Sequence, residues 1–388
     1  MIHRMQLGEV PSKHHIVFRP GGKLAFEHCF TRQGFDGAYT IMYHREPPHW
    51  VATDEDLGAH PGLAGSNWDG RLRRRHFVSS RMAPGGSPFT GRKLLMENAD
   101  VGVFMVHADR DDDTVVTNGD GDELVFVHRG SGRLETPLGV VRFGPEDYVY
   151  VPRALPYRWR LDGPASMFVM EGRSYIDLPR QFRNAYGQLT LDAPYCHRDF
   201  RGPEWPAGGP ESLGAPTRLI AQRHGRLTAF TLSSDPFNVV GWDGHMWPFA
   251  FNIRNYQPRT GLVHLPPTIH LTFAGGGFIV CSFVPRRTDF HPQAIPCPYP
   301  HSSVHCDEVI YYVEGNFTSR KGIEPGSISL HPMGMPHGPH PGTYEASIGT
   351  TETSELAVML DTFKALMPTD HARGIEDKGY NLSWAPHL

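Results

Sequence analysis

The chain has 388 residues, a formal net charge of −4 and an isoelectric point near 6.6. This balance gives no support for a nucleic-acid partner, and no run approaches the roughly eighteen apolar residues of a membrane-spanning helix. Glycine (42) and proline (35) are frequent, which favours many short strands and turns over long helices. The five cysteines are widely spaced without a Cys-x-x-Cys motif, so we expect reduced thiols in a cytoplasmic protein.

Residues 1–90 are predicted to form an N-terminal β-rich extension. Short apolar runs predict strands at His15–Phe18, Lys23–Phe26 and Ala38–Tyr43, with glycine- and proline-rich turns between them. The extension contains a basic cluster, Arg71–Arg75. We interpret this cluster as a solvent-facing surface or a subunit contact.

Residues 91–193 are predicted to form a first β-barrel. Val101–Val106 is rich in β-branched residues, and Glu123–Gly130 is an apolar run that ends at a glycine. Residues 194–216 are rich in proline and glycine and are predicted to be a linker. Residues 217–388 are predicted to form a second barrel, so the expected fold class is all-β with few short helices.

The second barrel contains the densest cluster of potential metal ligands, between residues 301 and 340. Val309–Val313 is β-branched and aromatic, and Ser327–His331 alternates polar and apolar residues, so both are predicted strands. Glu308 directly precedes the first of these runs. Prolines and glycines end the second strand shortly before His337. The pattern predicts that ligands from separate segments meet.

Two histidines and one carboxylate can occupy one face of a six-coordinate metal and leave the other positions open for substrate and dioxygen. We assign these ligands to His301, Glu308 and His337. His305 is the alternative to His301: on a regular strand it faces away from Glu308, but a turn before Glu308 can reverse its direction. Because this donor set is typical of non-haem Fe(II) oxygenases, the sequence predicts an iron site.

The same spacing occurs earlier in the chain. Glu123 and Gly130 are separated as Glu308 and Gly315 are, and prolines follow at matching intervals in both copies. Tyr157, however, stands in the first copy where His337 stands in the second. The first barrel is therefore predicted to keep the fold without holding a metal.

These intervals resemble the two cupin signatures. One signature is met by His301, Glu308 and Gly315, and the other by a glycine–proline–glycine pattern that begins at Gly326 and ends at His337. Two related copies in one chain indicate two cupin-type β-barrels, or a bicupin.

Longer segments resemble one family within the cupins, the homogentisate 1,2-dioxygenases. The segments are Phe237–Trp242, Pro298–His301, Ser329–His331 and Pro336–Pro339. The similarity is clear over residues 235–365, weaker over the first barrel, and poor before residue 90.

This resemblance implies an enzyme that uses Fe(II) and dioxygen to open the ring of homogentisate to maleylacetoacetate in tyrosine and phenylalanine catabolism. It also implies a homo-oligomer, a trimer or hexamer. The iron is expected on His301, Glu308 and His337. His264 matches a family histidine that hydrogen-bonds or deprotonates a substrate hydroxyl, and His331 matches one that orients a metal ligand.

Substrate contacts are predicted at Tyr311, Phe317 and His340. The family has a tyrosine at the position of Phe317, which cannot donate an O–H, so Tyr311 or Tyr312 is a candidate replacement. A cation for a substrate carboxylate is expected from one of four basic residues: Arg254, Arg286, Arg287 and Lys321.

The sequence leaves two alternative functions open. A dioxygenase that cleaves gentisate or another hydroquinone would use the same iron site with a different pocket. The second alternative is a bicupin that binds a small molecule without catalysis, because a fold does not determine a function.

Overall fold

A computed structural model of the chain describes residues 3–33, 36–48, 51–63, 72–265, 267–298, 300–301, 305–317, 319–320 and 322–384. Strands dominate these residues, and the α-helices among them are short: α1 at Thr343–Ala346 and α2 at Asp370–Gly374. No described helix is long and apolar enough to cross a bilayer. The predicted fold class, all-β with few short helices, is confirmed.

The strands of the N-terminal extension are β1 (Met5–Gly8), β2 (Phe26–Gln33), β3 (Asp36–His44), β4 (Val51–Ala59) and β5 (Arg75–Val78). The strand predicted at Ala38–Tyr43 is confirmed within β3. The two earlier predictions are wrong, since residues 15–25 contain no strand and expose Ile16 and Val17 to solvent. A 3₁₀ turn at Pro20–Gly22 separates the two predicted segments, and one backbone hydrogen bond, from Ala25 N–H to the Phe18 carbonyl oxygen, joins them.

The remaining strands follow in chain order. From residue 93 to 172 they are β6 (Lys93–Glu97), β7 (Val101–Ala108), β8 (Val115–Asn118), β9 (Asp122–Arg129), β10 (Gly132–Thr136), β11 (Gly139–Phe143), β12 (Asp147–Val151), β13 (Arg158–Leu161) and β14 (Ala165–Gly172). From residue 176 to 275 they are β15 (Ile176–Asp177), β16 (Phe200–Arg201), β17 (Thr217–Arg223), β18 (Arg226–Leu232), β19 (Val239–Gly244), β20 (Phe249–Asn252) and β21 (Leu271–Gly275). The last are β22 (Phe278–Phe283), β23 (Arg286–Arg287), β24 (Asp307–Glu314), β25 (Ser327–His331), β26 (Glu352–Thr353), β27 (Leu356–Thr362) and β28 (Met367–Pro368).

Two large antiparallel sheets form the two β units. One has eight strands in the order β16-β20-β12-β9-β14-β7-β6-β28, and the other has seven in the order β15-β21-β22-β27-β24-β25-β5. Strand pairing crosses the predicted boundaries, because β5 of the extension pairs with β25 and β16 of the predicted linker pairs with β20. The boundaries at residues 90, 193 and 216 stay a prediction.

The two large sheets pack against each other through buried aromatic side chains. Tyr311 of β24 stacks on Phe168 of β14, with ring centroids 4.6 Å apart. Because side chains alternate along a strand, the neighbours of Tyr311 point to the other face of the sheet. Glu308, Ile310 and Tyr312 line a cavity on that face. The fold thus presents one row of β24 to a site and the other row to the core.

Candidate metal centre

Three side chains from different segments converge beside β24. Glu308 lies on that strand, whereas His301 and His337 lie in loops and face each other across an isolated antiparallel bridge. The backbone N–H of each histidine donates to the carbonyl oxygen of the other at 2.8 Å. This bridge brings the two imidazoles together, with ring centroids 4.3 Å apart.

Glu308 completes the group. Its Oε2 lies 4.0 Å from His301 Nε2 and 3.7 Å from His337 Nε2. One ligand atom from each of the three residues lies within 4.8 Å of the other two. Two imidazole nitrogens and a carboxylate are the protein ligands of non-haem Fe(II) oxygenases, and they leave coordination positions open.

The hydrogen-bond geometry of His337 indicates the imidazole tautomer that a metal ligand needs. Its Nδ1 lies 3.3 Å from the carbonyl oxygen of Met335, which only accepts, so this nitrogen carries the proton. Nε2 then holds the lone pair, and it is buried without a hydrogen-bond partner among the described residues. A lone pair facing the Glu308 carboxylate is unfavourable unless a proton or a metal cation lies between them. The residues present therefore fit a bound cation.

A hydrogen bond to Oε1, the carboxylate oxygen that does not face His301 and His337, orients Glu308. His331 Nδ1 lies 2.7 Å from Glu308 Oε1, and His331 Nε2 lies 3.2 Å from the Tyr380 hydroxyl. Burial and the nearby Arg320 charge lower the pKa of His331 to about 3, so its imidazole is neutral and donates through Nδ1–H. Burial raises the pKa of the Glu308 carboxyl, but the hydrogen bond from His331 and the adjacent His337 imidazole outweigh burial and hold that pKa well below its usual range. The carboxylate is thus ionised and fixed in direction.

A cavity of about 120 Å³ opens beside this group. His301 and Glu308 form part of its wall, and apolar side chains form much of the remainder. The apolar members include Leu265, Ile269, Phe283, Ile310, Phe317, Ala357 and Met359. Charged and polar side chains, among them four arginines, line the rest of the cavity. An apolar wall with polar groups beside it suits an aromatic ring that carries polar substituents.

Comparison with models of known protein families shows which family the chain belongs to. Residues 87–253 match the model of the homogentisate 1,2-dioxygenase N-terminal region, and residues 263–387 match the model of the C-terminal region of the same enzyme. The chain belongs to the homogentisate 1,2-dioxygenase family. The predicted family resemblance is confirmed, and family membership supports both a dioxygenase and a metal cofactor.

Individual relatives differ in how much of their length the chain matches. The "Putative dioxygenase" of Saccharolobus solfataricus is 34% identical over 388 residues, which cover 99% of each chain. The homogentisate 1,2-dioxygenase of Rhodopseudomonas palustris strain HaA2 is 28% identical over 66% of this chain and 58% of its own length. Among solved structures, a cupin 2 conserved barrel domain protein from Leptotrichia buccalis covers 76% of this chain and 99% of its own, at 8% identity and a TM-score of 0.36.

His264, matched by resemblance to a family histidine, lines the cavity. Its Nδ1 lies 3.8 Å from Asp289 Oδ2, and its side chain is about one quarter exposed (25%). Burial lowers the pKa of His264, the positive charge of Arg286 lowers it further, and Asp289 opposes both. A neutral imidazole at this position can accept a proton from a group bound in the cavity.

The structure brings some of the other predicted site residues to the cavity and leaves others away from it. Phe317 lines the cavity and packs edge-on against Tyr312. Tyr311 lies in the core, where its hydroxyl meets His128 Nδ1 at 2.5 Å, so the substrate contact assigned to it was on the wrong face of β24. His340 stacks on Trp384 behind the metal centre rather than lining the cavity, and His305 is exposed and outside the ligand group.

Arg320 is a site residue that the sequence reasoning missed. Its side chain is almost fully buried, lines the cavity and brings Nη2 to 3.9 Å from Glu308 Oε1. Its Nε has no hydrogen-bond partner among the described residues. Of the cations that were predicted, Arg286 pairs with Glu355 at 2.8 Å and Arg254 pairs with Glu146 and Glu314, while Lys321 lies outside the described residues. No periodicity marks an arginine in a turn, so the only signal was its position in the connection between β24 and β25.

The first barrel holds an arginine where the second has its ligands. Glu123, the counterpart of Glu308 in the repeat, receives two hydrogen bonds from the buried Arg92 guanidinium, at 2.9 and 3.2 Å. Asn118 and Tyr157 also donate to Glu123, at 2.7 and 3.0 Å. A side-chain cation thus neutralises this carboxylate.

Arg74, from the basic cluster of the extension, contacts residues 335–339, the loop that carries His337 and that we call the metal loop. Arg74 Nη2 donates to the carbonyl oxygen of Pro336 at 2.6 Å, and its guanidinium lies 4.8 Å from the ring centre of Trp384. Trp384 Nε1 donates to the carbonyl oxygen of Gly338 at 3.0 Å. Arg74 and Trp384, which are far apart in the chain, therefore hold the carbonyl groups of the two residues on either side of His337.

Replacing Arg74 with methionine is expected to weaken metal binding about tenfold, because a group that orients a ligand typically contributes 10–100-fold to affinity. The measurement is metal content after dialysis against a graded chelator series. Arg73→Met is the matched control, since Arg73 belongs to the same basic cluster and its guanidinium pairs with Glu376 at 3.1 Å. Equal metal retention by both variants would contradict the assignment of Arg74.

Proposed function

We propose that this chain is an Fe(II)-dependent dioxygenase that opens the ring of a hydroxylated aromatic acid, with homogentisate as its substrate and maleylacetoacetate as the product. The observation that carries the proposal is the group of His301, Glu308 and His337 beside a mostly apolar cavity, in a member of this family. The wider role we infer is a step in tyrosine and phenylalanine catabolism.

The two imidazoles and one carboxylate support ferrous iron as the bound metal. Two neutral imidazoles and one carboxylate suit a divalent ion and leave positions free for both reactants. Ferrous iron, when bound, supplies the one-electron chemistry that allows dioxygen to react with a phenol. His331 keeps the Glu308 carboxylate oriented, and Arg74 holds the loop of His337.

The remaining cavity residues contact different parts of the substrate. The apolar wall, including Phe283 and Phe317, packs against the ring. His264 accepts the proton of a ring hydroxyl, since a phenolate is the better electron donor. Arg320, buried next to Glu308, and Arg287, exposed at the rim, are the cavity cations that suit a substrate carboxylate.

Gentisate or another hydroquinone is the alternative substrate within the same chemistry. The matched segment spans 58% of the Rhodopseudomonas enzyme, so the substrate of that enzyme is carried over here only as part of the proposal. Phe317 also stands where the family pattern has a tyrosine. An apolar ring at that position favours a substrate that makes one hydrogen bond fewer there.

Oxygen uptake by protein loaded with Fe(II) under anaerobic conditions tests the proposal, with homogentisate and gentisate offered in parallel. Uptake with homogentisate, together with formation of the ring-opened product, is the expected result. Uptake with gentisate alone would keep the dioxygenase and change the substrate. Tight iron binding with no uptake from either acid would favour the non-catalytic alternative.

His264→Gln is expected to retain iron and to lower kcat by about 10² to 10⁴, the usual contribution of a positioned base. Oxygen uptake at saturating substrate measures kcat, and metal analysis confirms loading. His291→Gln is the matched control, because His291 follows Asp289 in the same loop but lies outside the cavity wall. An unchanged kcat for His264→Gln would remove His264 from the reaction.

We further infer a cytoplasmic homo-oligomer. The five cysteines are free thiols, which suits a reducing compartment. The trimer or hexamer rests on family resemblance alone, and sedimentation velocity of the purified chain tests it.

A further inference from the structure

His270 is a buried histidine in the cavity wall that the reaction described above does not use. It ends a 3₁₀ turn, Pro267–His270, and directly precedes β21. The residue is only 4% exposed, and its ring packs against Phe283 with centroids 4.6 Å apart. Both rings line the cavity, as does His264.

The imidazole of His270 lacks the hydrogen bonds that a buried polar group normally makes. Its Nδ1 is completely buried and has no partner among the described residues. Burial, followed by the positive charge of Arg286 and the nearby His264, lowers the pKa of His270 to about 3. The ring is therefore neutral and carries one proton. A buried polar group without a partner is unfavourable, and a phenylalanine would have filled the same space without that cost.

The environment indicates which nitrogen carries the proton. A buried N–H without an acceptor is rarer in proteins than a buried acceptor without a donor. The proton is therefore assigned to Nε2 rather than to the enclosed Nδ1. Because the ring lines the cavity and Nδ1 is enclosed, Nε2 is the nitrogen that can meet a ligand. The cavity wall thus presents a neutral N–H donor whose acceptor must come from the cavity itself.

We propose that His270 is a specificity-determining residue that donates a hydrogen bond to a second ring oxygen of the aromatic substrate, distinct from the hydroxyl that His264 deprotonates. The inference rests on the proposed function and assigns a protein partner to the second of the two ring oxygens that homogentisate carries. Arg286 does not compete for that oxygen, because its guanidinium is paired with Glu355. An ordered water bound to His270 is the competing explanation.

The test compares two probes that differ by one ring hydroxyl, homogentisate and 2-hydroxyphenylacetate. Their dissociation constants are measured anaerobically on full-length, Fe(II)-loaded protein by titration calorimetry. His270→Phe keeps a ring against Phe283 and removes both nitrogens, while His270→Gln restores an N–H at similar reach. His371→Phe is the matched control, because His371 also has a buried nitrogen without a described partner but lies in α2, outside the cavity wall.

Wild-type protein is expected to prefer homogentisate, and His270→Phe to lose about tenfold of that preference, the factor typical of one hydrogen bond in a dry site. His270→Gln should recover part of the preference, and His371→Phe should keep all of it. If His270→Phe keeps the wild-type preference, or weakens both probes equally, the second-oxygen contact is wrong and water or ring shape explains His270. In either case the proposed function stands as long as wild-type protein consumes oxygen with homogentisate. If wild-type protein binds neither acid, the proposed function and this inference both fail.

Discussion

Glu308→Gln is expected to leave the protein folded and nearly free of metal. The amide oxygen of glutamine still accepts the hydrogen bond from His331 Nδ1, which lies 2.7 Å from the carboxylate in the native chain, so local packing is kept. The negative charge that binds the cation is lost. Because this change removes a ligand, its effect should exceed the 10–100-fold loss that follows when a ligand loses only its supporting hydrogen bond.

Metal analysis and anaerobic Fe(II) titration measure this effect, and oxygen uptake should fall to the level of metal-free protein. His301→Ala and His337→Ala should behave in the same way. His305→Ala is the matched control, since His305 is exposed and outside the ligand group, and it should keep its iron. Full iron occupancy in Glu308→Gln, or iron lost from His305→Ala and kept in His301→Ala, would require a different ligand set.

Arg92→Met is expected to lower the free energy of unfolding by about 3–5 kcal/mol, the usual cost of leaving one charge of a buried pair without its partner. Arg92 and Glu123 have side-chain exposures of 1% each, and two hydrogen bonds join them. Without the guanidinium, the first barrel keeps a buried carboxylate held only by neutral donors. Denaturant unfolding followed by tryptophan fluorescence measures the change.

Two variants show whether the effect belongs to the buried charge. Adding Glu123→Gln to Arg92→Met should recover much of the lost stability, because no unpaired charge remains. Arg142→Met removes a similar contact, 3.0 Å to Glu204, from a pair that is 68% and 61% exposed, and should change stability by about 1 kcal/mol or less. An Arg92→Met protein as stable as Arg142→Met would mean that the guanidinium does not balance Glu123.

The strands and ligands of the second barrel were predictable because their signals are local. The strand predicted at Ser327–His331 matches β25, and its polar–apolar alternation arises within five consecutive residues. His301, Glu308 and His337 were also found from spacing, because the strand–turn–strand unit that brings them together is continuous in sequence. Family resemblance added His264, which the structure does bring to the cavity.

The sequence did not show which face of β24 lines the cavity and which face packs in the core. Tyr311 and Tyr312 are adjacent and equally aromatic, and both faces of the strand are buried. A strand buried on both sides shows no alternation of polarity that separates the core row from the cavity row. Packing of Tyr311 against Phe168 in the other sheet assigns the rows, and that contact joins residues far apart in the chain.

The sequence by itself thus determined the all-β class, the repeat, the family and the proposal that His301, Glu308 and His337 form one ligand group, which the structure does bring together. Only the tertiary structure decided which further side chains surround the site, namely Arg320 next to Glu308, His270 in the cavity wall and Arg74 on the loop of His337. It also decided that Arg92 pairs with Glu123 in the first barrel. Each of these depends on a contact between segments that are separate in sequence or on the direction of one side chain in a turn. Local pattern carries no information on either, because both are set by how the sheets and loops pack.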